Sequence, residues 1–251
     1  MTEVRCCLLV PHYNHVDQFA TFLPQLCATG MPVLVVDDGS DSAEFARLEE
    51  LLTDVENCTL FRLSENRGKG SAVIHGIVHA GELAYTHVLQ IDADGQHTAQ
   101  DCGKLTRLCE ENPEAMISGL PVFGDDIPAA RLQGRKLSLF MVRLETLSCE
   151  IQDAMCGFRV YPVSAMLAVA GKFGYSRRMQ FDLEVLVRWL WSGRPLLFVE
   201  TPVRYPEEGK SHFKMVRDNA QITLMHTQLV IGMLLRSPVL LWRRWFTGRS
   251  Q

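Results

Sequence analysis

The chain has 251 residues, 25 Lys and Arg against 29 Asp and Glu for a formal charge of −4, and 47% hydrophobic residues. That apolar mass fills a core, and 18 Gly and 11 Pro without a period exclude a disordered chain, a collagen-like repeat and a small disulfide-stapled module. Residues 209–251 hold seven cations (Lys210, Lys214, Arg217, Arg236, Arg243, Arg244, Arg249) against Asp218 alone, so a +6 tail follows a −10 body, and a globally basic nucleic-acid coat is excluded.

The apolar start at residues 6–11 is too short for a signal-peptide core. From there short β-branched runs alternate with helical patterns, as in βαβ units around a parallel sheet. The predicted strands are Val4 to Val10, Pro32 to Val36, Cys58 to Leu63, Thr86 to Ile91 and Ala115 to Ser118. Between them lie predicted helices at Val16 to Ala28, Ala43 to Leu52, Gly70 to Ala84 and Ala99 to Glu111. The later half is less regular: a helix at Leu132 to Ser148, a strand at Gly157 to Tyr161, a helix at Phe181 to Ser192 and a strand at Leu196 to Val203. No linker, repeat or low-complexity stretch interrupts the chain. The expected organisation is one α/β domain over residues 1–208, with a donor half to about residue 120 and an acceptor half after it, followed by a basic amphipathic tail over 209–251.

The eight cysteines form no Cys-x-x-Cys pair and no ordered Cys/His spacing, which argues against zinc and for reduced thiols in the cytoplasm. In the tail, Ile222 to Leu241 is the only apolar stretch long enough to meet a bilayer. His226, Gln228, Arg236 and Pro238 interrupt it, so no transmembrane span is expected.

In open parallel sheets ligands gather at the carboxyl ends of the strands, and the polar motifs of this chain fall in those loops. Asp92-x-Asp94 can bring two carboxylates to one hard divalent cation, with Gln96 and His97 as possible ligands just downstream, or it is a solvated turn. Arg67-Gly68-Lys69-Gly70 joins backbone donors at a helix start to two cations, as a diphosphate requires, or it is a plain glycine entry into the helix. It lacks the spacing of a Walker loop or a dinucleotide fingerprint. Asp37-Asp38-Gly39-Ser40 is either a turn with a helix cap or a carboxylate set to accept from a base N–H or a ribose hydroxyl. Each motif is ambiguous alone; with Pro11-His12-Tyr13-Asn14 after the first strand, four in order at successive strand ends are not.

Together they resemble the inverting family 2 glycosyltransferases of the GT-A fold, and within them the dolichyl-phosphate mannose synthase and polyprenyl-phosphate glycosyltransferase branch. The likeness runs through Leu9-Val10-Pro11-His12-Tyr13-Asn14, Val35 to Ser40, Glu65 to Gly70, Gln90 to His97, Cys156 to Tyr161 and Phe181 to Glu184, and continues to Ser211-His212-Phe213 and Arg217-Asp218. It implies a GT-A fold, an α/β domain with a mostly parallel central sheet and C-terminal helices. By this resemblance Pro11, Tyr13, Asn14, Asp37 and Asp38 line the nucleotide, and Arg67, Gly68, Lys69, Asp92 and Ala93 lie along the donor. Asp92, Asp94 and Gln96 would hold Mg²⁺ or Mn²⁺ on the diphosphate, whose developing charge needs neutralising before it can leave. Arg159 would bind a donor or acceptor phosphate, or be a surface ion pair; Gly157, Phe158, Ser211 and His212 would face the acceptor. Asp182 or Glu184 would serve as base for a hydroxyl acceptor, whereas a phosphate acceptor needs none and leaves these acids to position it. His12 and Cys156 depart from the family pattern, in which aliphatic or small residues and Ser or Thr are usual at these places.

The tail combines apolar residues with Arg243, Arg244, Trp242 and Trp245, as interfacial elements do, so it either meets an anionic membrane or packs on the core. The expected activity is metal-dependent, inverting transfer of a sugar from a UDP- or GDP-sugar to a lipid or lipid-phosphate acceptor, on the cytoplasmic inner face of a membrane and without nucleic acid. The rivals are a nucleotide-sugar-binding scaffold without turnover and an Asp-x-Asp phosphohydrolase. The latter expects Thr or Ser where Gln96 stands, and the opening loop of the sugar-nucleotide pyrophosphorylases is missing.

Overall fold

A computed structural model of the chain describes residues 3–124, 129–203 and 215–246. Strand and helix alternate through β1 (Cys6–His12), α1 (Val16–Cys27), β2 (Val33–Asp37), α2 (Ser42–Leu52), β3 (Cys58–Arg62), α3 (Lys69–Glu82) and β4 (His87–Gln90). A 3-10 turn at Ala99–Asp101 leads into α4 (Cys102–Glu111), then β5 (Met116–Phe123) and α5 (Ala129–Thr146). β6 (Arg159–Pro162), α6 (Val163–Phe173), α7 (Phe181–Trp191), β7 (Leu196–Val203) and α8 (Met215–Phe246) complete the order.

The strands form one seven-stranded sheet in the order β3-β2-β1-β4-β6-β5-β7. Neighbours among β1 to β4 are parallel, β5 is parallel to β7, and β6 alone runs against its neighbours. This is the mostly parallel sheet that the sequence implies. Because β1 pairs with β2 on one side and β4 on the other, the chain winds away from it in both directions. The loops after β1 and β4 therefore part at the carboxyl edge and leave a crevice there.

Both faces of the sheet are covered, which is why its strands read as unbroken apolar runs. Along β1, Cys7 and Leu9 enter one core with α3, α6, α7 and α8, while Leu8 and Val10 enter the other with α1 and α4. In α1 the buried Val16, Phe19, Phe22, Leu23 and Leu26 make the single stripe expected of a helix lying on a sheet. Helix α6 has no counterpart in the sequence reading. Its segment is apolar nearly throughout, so periodicity carries no signal, although Pro162 before it and the left-handed Gly174 (φ 74°) after it bracket a helix in the usual asymmetric way.

Helix α8 does not break at Pro238. The proline leaves the Leu234 carbonyl without its amide partner, and the Ser237 hydroxyl donates to that carbonyl at 2.9 Å. One face of α8 buries Met225, Leu229, Met233 and Leu240. His226 Nδ1 meets Glu145 Oε1 of α5 at 2.7 Å, Arg243 donates to the Trp191 carbonyl at 2.9 Å, and Arg236 lies 4.6 Å over the Trp191 ring. The sequence poses core packing and surface exposure as alternatives, but the helix does both: Leu224, Ile231, Leu234, Leu235, Trp242 and Trp245 remain exposed. By length and composition alone, Asn219–Trp245 is long and apolar enough to cross a membrane.

Candidate functional site

The loops at the carboxyl edge are tied to one another through their polar side chains. After β1, Asn14 takes a left-handed conformation (φ 51°), its side chain exchanges hydrogen bonds with Asp41, and its N–H donates to Ser40 Oγ at 2.9 Å. At the end of β2, Asp37 is fully buried and accepts from the Ser40 N–H and hydroxyl, with His12 Nδ1 at 3.3 Å and Arg62 Nε at 3.5 Å. Burial alone would raise the Asp37 carboxyl, but the hydrogen bonds from His12 and Ser40 outweigh it and hold it below the usual range. Asp38 accepts from the Arg67 and Gly68 N–H groups at 2.8 and 2.7 Å, and burial still pushes its carboxyl up. Both carboxylates are thus engaged in fixing the loops on which Tyr13 and Arg67 stand, beside Pro11 near the end of β1.

Gly68 has φ 98°, and a Cβ there would fall 2.6 Å from the Arg177 carbonyl, so only glycine lets the start of α3 approach the segment before α7. That approach delivers Lys69. Its ammonium bridges Asp92 Oδ2 at 2.9 Å and Asp182 Oδ2 at 2.8 Å, joining α3, the loop after β4 and the first turn of α7. Burial opposes the charge on Lys69, but Asp182 and Asp92 overcome it and keep the ammonium protonated well above the ordinary lysine range. In return Lys69 outweighs burial at Asp92 and holds that carboxyl low. Asp94 has no such partner: burial and then the neighbouring Asp92 charge raise its carboxyl to about 6. Gly157 lies directly over the bridge, since a Cβ there would sit 2.6 Å from Lys69 Nζ and 3.0 Å from Asp92 Oδ2.

Asp92, Asp94, Gln96 and Gly157 line one cleft. The same cleft brings in Arg135, which the sequence did not flag, and His97, which the sequence offered as a possible ligand. Arg135 reaches it from α5, held at 2.7 Å by Asp153 and lying 4.8 Å over Phe123, and no local motif announces it. His97 stacks on Phe158 at 4.9 Å and approaches Cys156 Sγ at 3.7 Å, while its buried Nδ1 has no partner. Its place three residues after Asp94 was the available signal.

Several expected site residues are placed elsewhere. Arg159 is neither a surface ion pair nor part of the cleft: it is fully buried and donates to Ser118 Oγ (3.3 Å), the Asp182 carbonyl (2.7 Å) and the Ala154 carbonyl (3.3 Å). Glu184 faces the other way from Asp182 along α7, accepting from the Ser176 N–H and from Arg188. Phe158 has no exposed surface and supports His97 from within the core; Ala93 is likewise buried. Ser211 and His212 lie outside the described residues.

The donor set fits a hard divalent cation. Among the described residues no three His, Cys, Asp or Glu side chains converge on one point. The chain thus offers the Asp92 and Asp94 carboxylates and leaves most positions to water and phosphate oxygens, the habit of Mg²⁺ or Mn²⁺ in phosphate-handling sites. A carboxyl raised by burial and by a neighbouring carboxylate is one whose charge a cation would relieve.

The family described as glycosyl transferase family 2 matches residues 7–168. The polyprenol monophosphomannose synthase of Mycolicibacterium smegmatis is 24% identical over 86% of this chain and 82% of its own. A dolichyl-phosphate beta-glucosyltransferase of Drosophila melanogaster is 28% identical over 96% of this chain and 75% of its own. The fold is shared with the Mycobacterium tuberculosis glucosyl-3-phosphoglycerate synthase, solved with Mn²⁺, UDP and glucosyl-3-phosphoglycerate. That match has a TM-score of 0.64 at 12% identity and covers 92% of this chain and 79% of the other.

Proposed function

Because the chain belongs to glycosyl transferase family 2 and is a glycosyltransferase, we propose that it transfers a sugar, with inversion, from a nucleotide-diphosphate donor to a polyprenyl phosphate. The observation that carries this reading is the Lys69 bridge between Asp92 and Asp182 beside Asp94, at the crevice where α/β sheets bind ligands. Asp92 and Asp94 hold Mg²⁺ or Mn²⁺, with Gln96 at the rim. When bound, that cation supplies charge neutralisation for the leaving diphosphate. Lys69 and Arg135 add fixed positive charge on the chain's own side, and Tyr13, Asn14 and Arg67 border the nucleotide. A phosphate acceptor arrives already ionised, so no strong base is needed, and Asp182 acts by orienting Lys69. The names of the relatives support the lipid-phosphate acceptor. Incubation with labelled UDP- and GDP-sugars, a short polyprenyl phosphate and Mn²⁺ is expected to give label in the organic phase. Donor binding without transfer to any lipid phosphate would reject this acceptor class.

The same reading places the enzyme peripherally on the inner face of a membrane through α8. The arginines Arg236, Arg243 and Arg244 each donate to a backbone carbonyl, Arg243 and Arg244 to carbonyls of the domain, and so help to pin the helix. The exposed Leu235 (77%) and Trp245 (83%) are therefore the stronger membrane contacts. Replacing both by Ala is expected to weaken vesicle binding on the order of 10²- to 10³-fold, from about 1.5–2 kcal/mol of apolar transfer at each side chain. Flotation with anionic and zwitterionic vesicles reads this, and unchanged partition in both would remove α8 as the anchor.

A further inference from the structure

On the outward side of α3, away from the cleft, His75 and His79 stand one turn apart with their Nε2 atoms 3.1 Å from each other. Two imidazole nitrogens on one tetrahedral zinc, each at 2.0–2.1 Å, lie about 3.3 Å apart. The pair is a few tenths of an ångström from that spacing, and helical i, i+4 placement keeps it there. We propose that His75 and His79 chelate a borderline divalent cation such as Zn²⁺, with Glu82 supporting the second histidine.

The rings are held in place before any ion arrives. His79 stacks on Phe61 with centroids 4.0 Å apart and planes 3° from parallel, and its Nδ1 meets Glu82 Oε2 at 2.6 Å. A proton on Nδ1, facing the carboxylate, makes the Nε2 of His79 the acceptor of the His75 Nε2–H, and a cation that displaces that proton would take both Nε2 lone pairs; a carboxylate behind the ring is the arrangement that orients histidine ligands. His75 lies edge-on to His79 with ring centroids 4.4 Å apart. Imidazole selects Zn²⁺, Ni²⁺ or Cu²⁺, unlike the carboxylates of the cleft, which suit Mg²⁺ or Mn²⁺. The positions left open face water and a cavity that His75 lines with Arg67, Ser71, Tyr175 and Arg177, where an anion can complete the shell.

The test is zinc titration of the full chain against a chromophoric chelator, in an Asp94→Ala background so that the carboxylate cleft contributes little. The doubly substituted His75→Gln, His79→Gln protein is expected to bind one zinc fewer. Excess Mg²⁺ should leave the site filled, and Glu82→Gln, at an exposed position, should weaken it roughly 10-fold or more. Equal zinc stoichiometry and affinity in the double variant, or displacement by Mg²⁺, would overturn the proposal. If the double variant unfolds, Glu82→Gln decides alone, and unchanged affinity in it counts against the site.

Discussion

Replacing Arg159 with methionine is expected to lower unfolding stability by about 3–5 kcal/mol and to leave the donor KM of the folded enzyme within a fewfold of its starting value. The guanidinium has no solvent exposure and donates to Ser118 Oγ and to the carbonyls of Ala154 and Asp182. Methionine fills most of the aliphatic volume but leaves those three acceptors without their donor, at roughly 1–3 kcal/mol each when buried. Removing a buried charge returns part of that, which places the net cost nearer the lower figure. For a chain of this size such a loss corresponds to roughly 6–15 °C in Tm. Urea unfolding and donor kinetics read the two quantities separately. A phosphate-binding arginine would give the reverse pattern, with stability kept and donor affinity lost, and that outcome would return Arg159 to the site.

Arg159 also shows where sequence reading stops. The order of motifs at the strand ends requires only local patterns, so the parallel sheet, its strands and the cleft loops could all be read in advance. Whether a conspicuous side chain faces the ligand or the core depends on which way its strand lies against distant segments. Arg159 and Phe158 point into the packing because β6 lies inside the sheet, between β4 and β5, with both faces covered, and no residue within β6 encodes that placement. Asp182 and Glu184 looked equivalent as bases, yet two positions apart on a helix they face different neighbours, Lys69 for one and Arg188 for the other. Arg135 reaches the cleft from α5 only because Asp153 and Phe123 hold it there. Helix α6 escaped for the opposite reason, since a helix apolar on every side has no periodicity to detect.

Asp94→Asn is expected to move activity and stability in opposite directions. With a cation ligand gone and the diphosphate charge less well neutralised, turnover should fall on the order of 10²- to 10³-fold. The metal-free protein should nevertheless become more stable at neutral pH. The Asp94 carboxyl is raised from its ordinary value to about 6, by burial first and then by the Asp92 charge, so the folded state holds its proton more tightly than the unfolded chain does. Stability from this group therefore falls as pH rises from the unfolded value toward about 6, and the full penalty is present at pH 7. Asparagine removes that penalty, a gain on the order of 1–2 kcal/mol after allowing for solvent at this half-buried site. Near pH 3.5 the two proteins should be equally stable. Mn²⁺ should reverse the ranking at neutral pH by stabilising the wild type through binding while leaving the variant unchanged. Thermal unfolding across pH, with and without Mn²⁺, reads all of this. If Asp94→Asn is no more stable than the wild type at pH 7 and Mn²⁺ shifts both equally, then Asp94 is a solvated turn residue and the two-carboxylate cleft is not built for a cation.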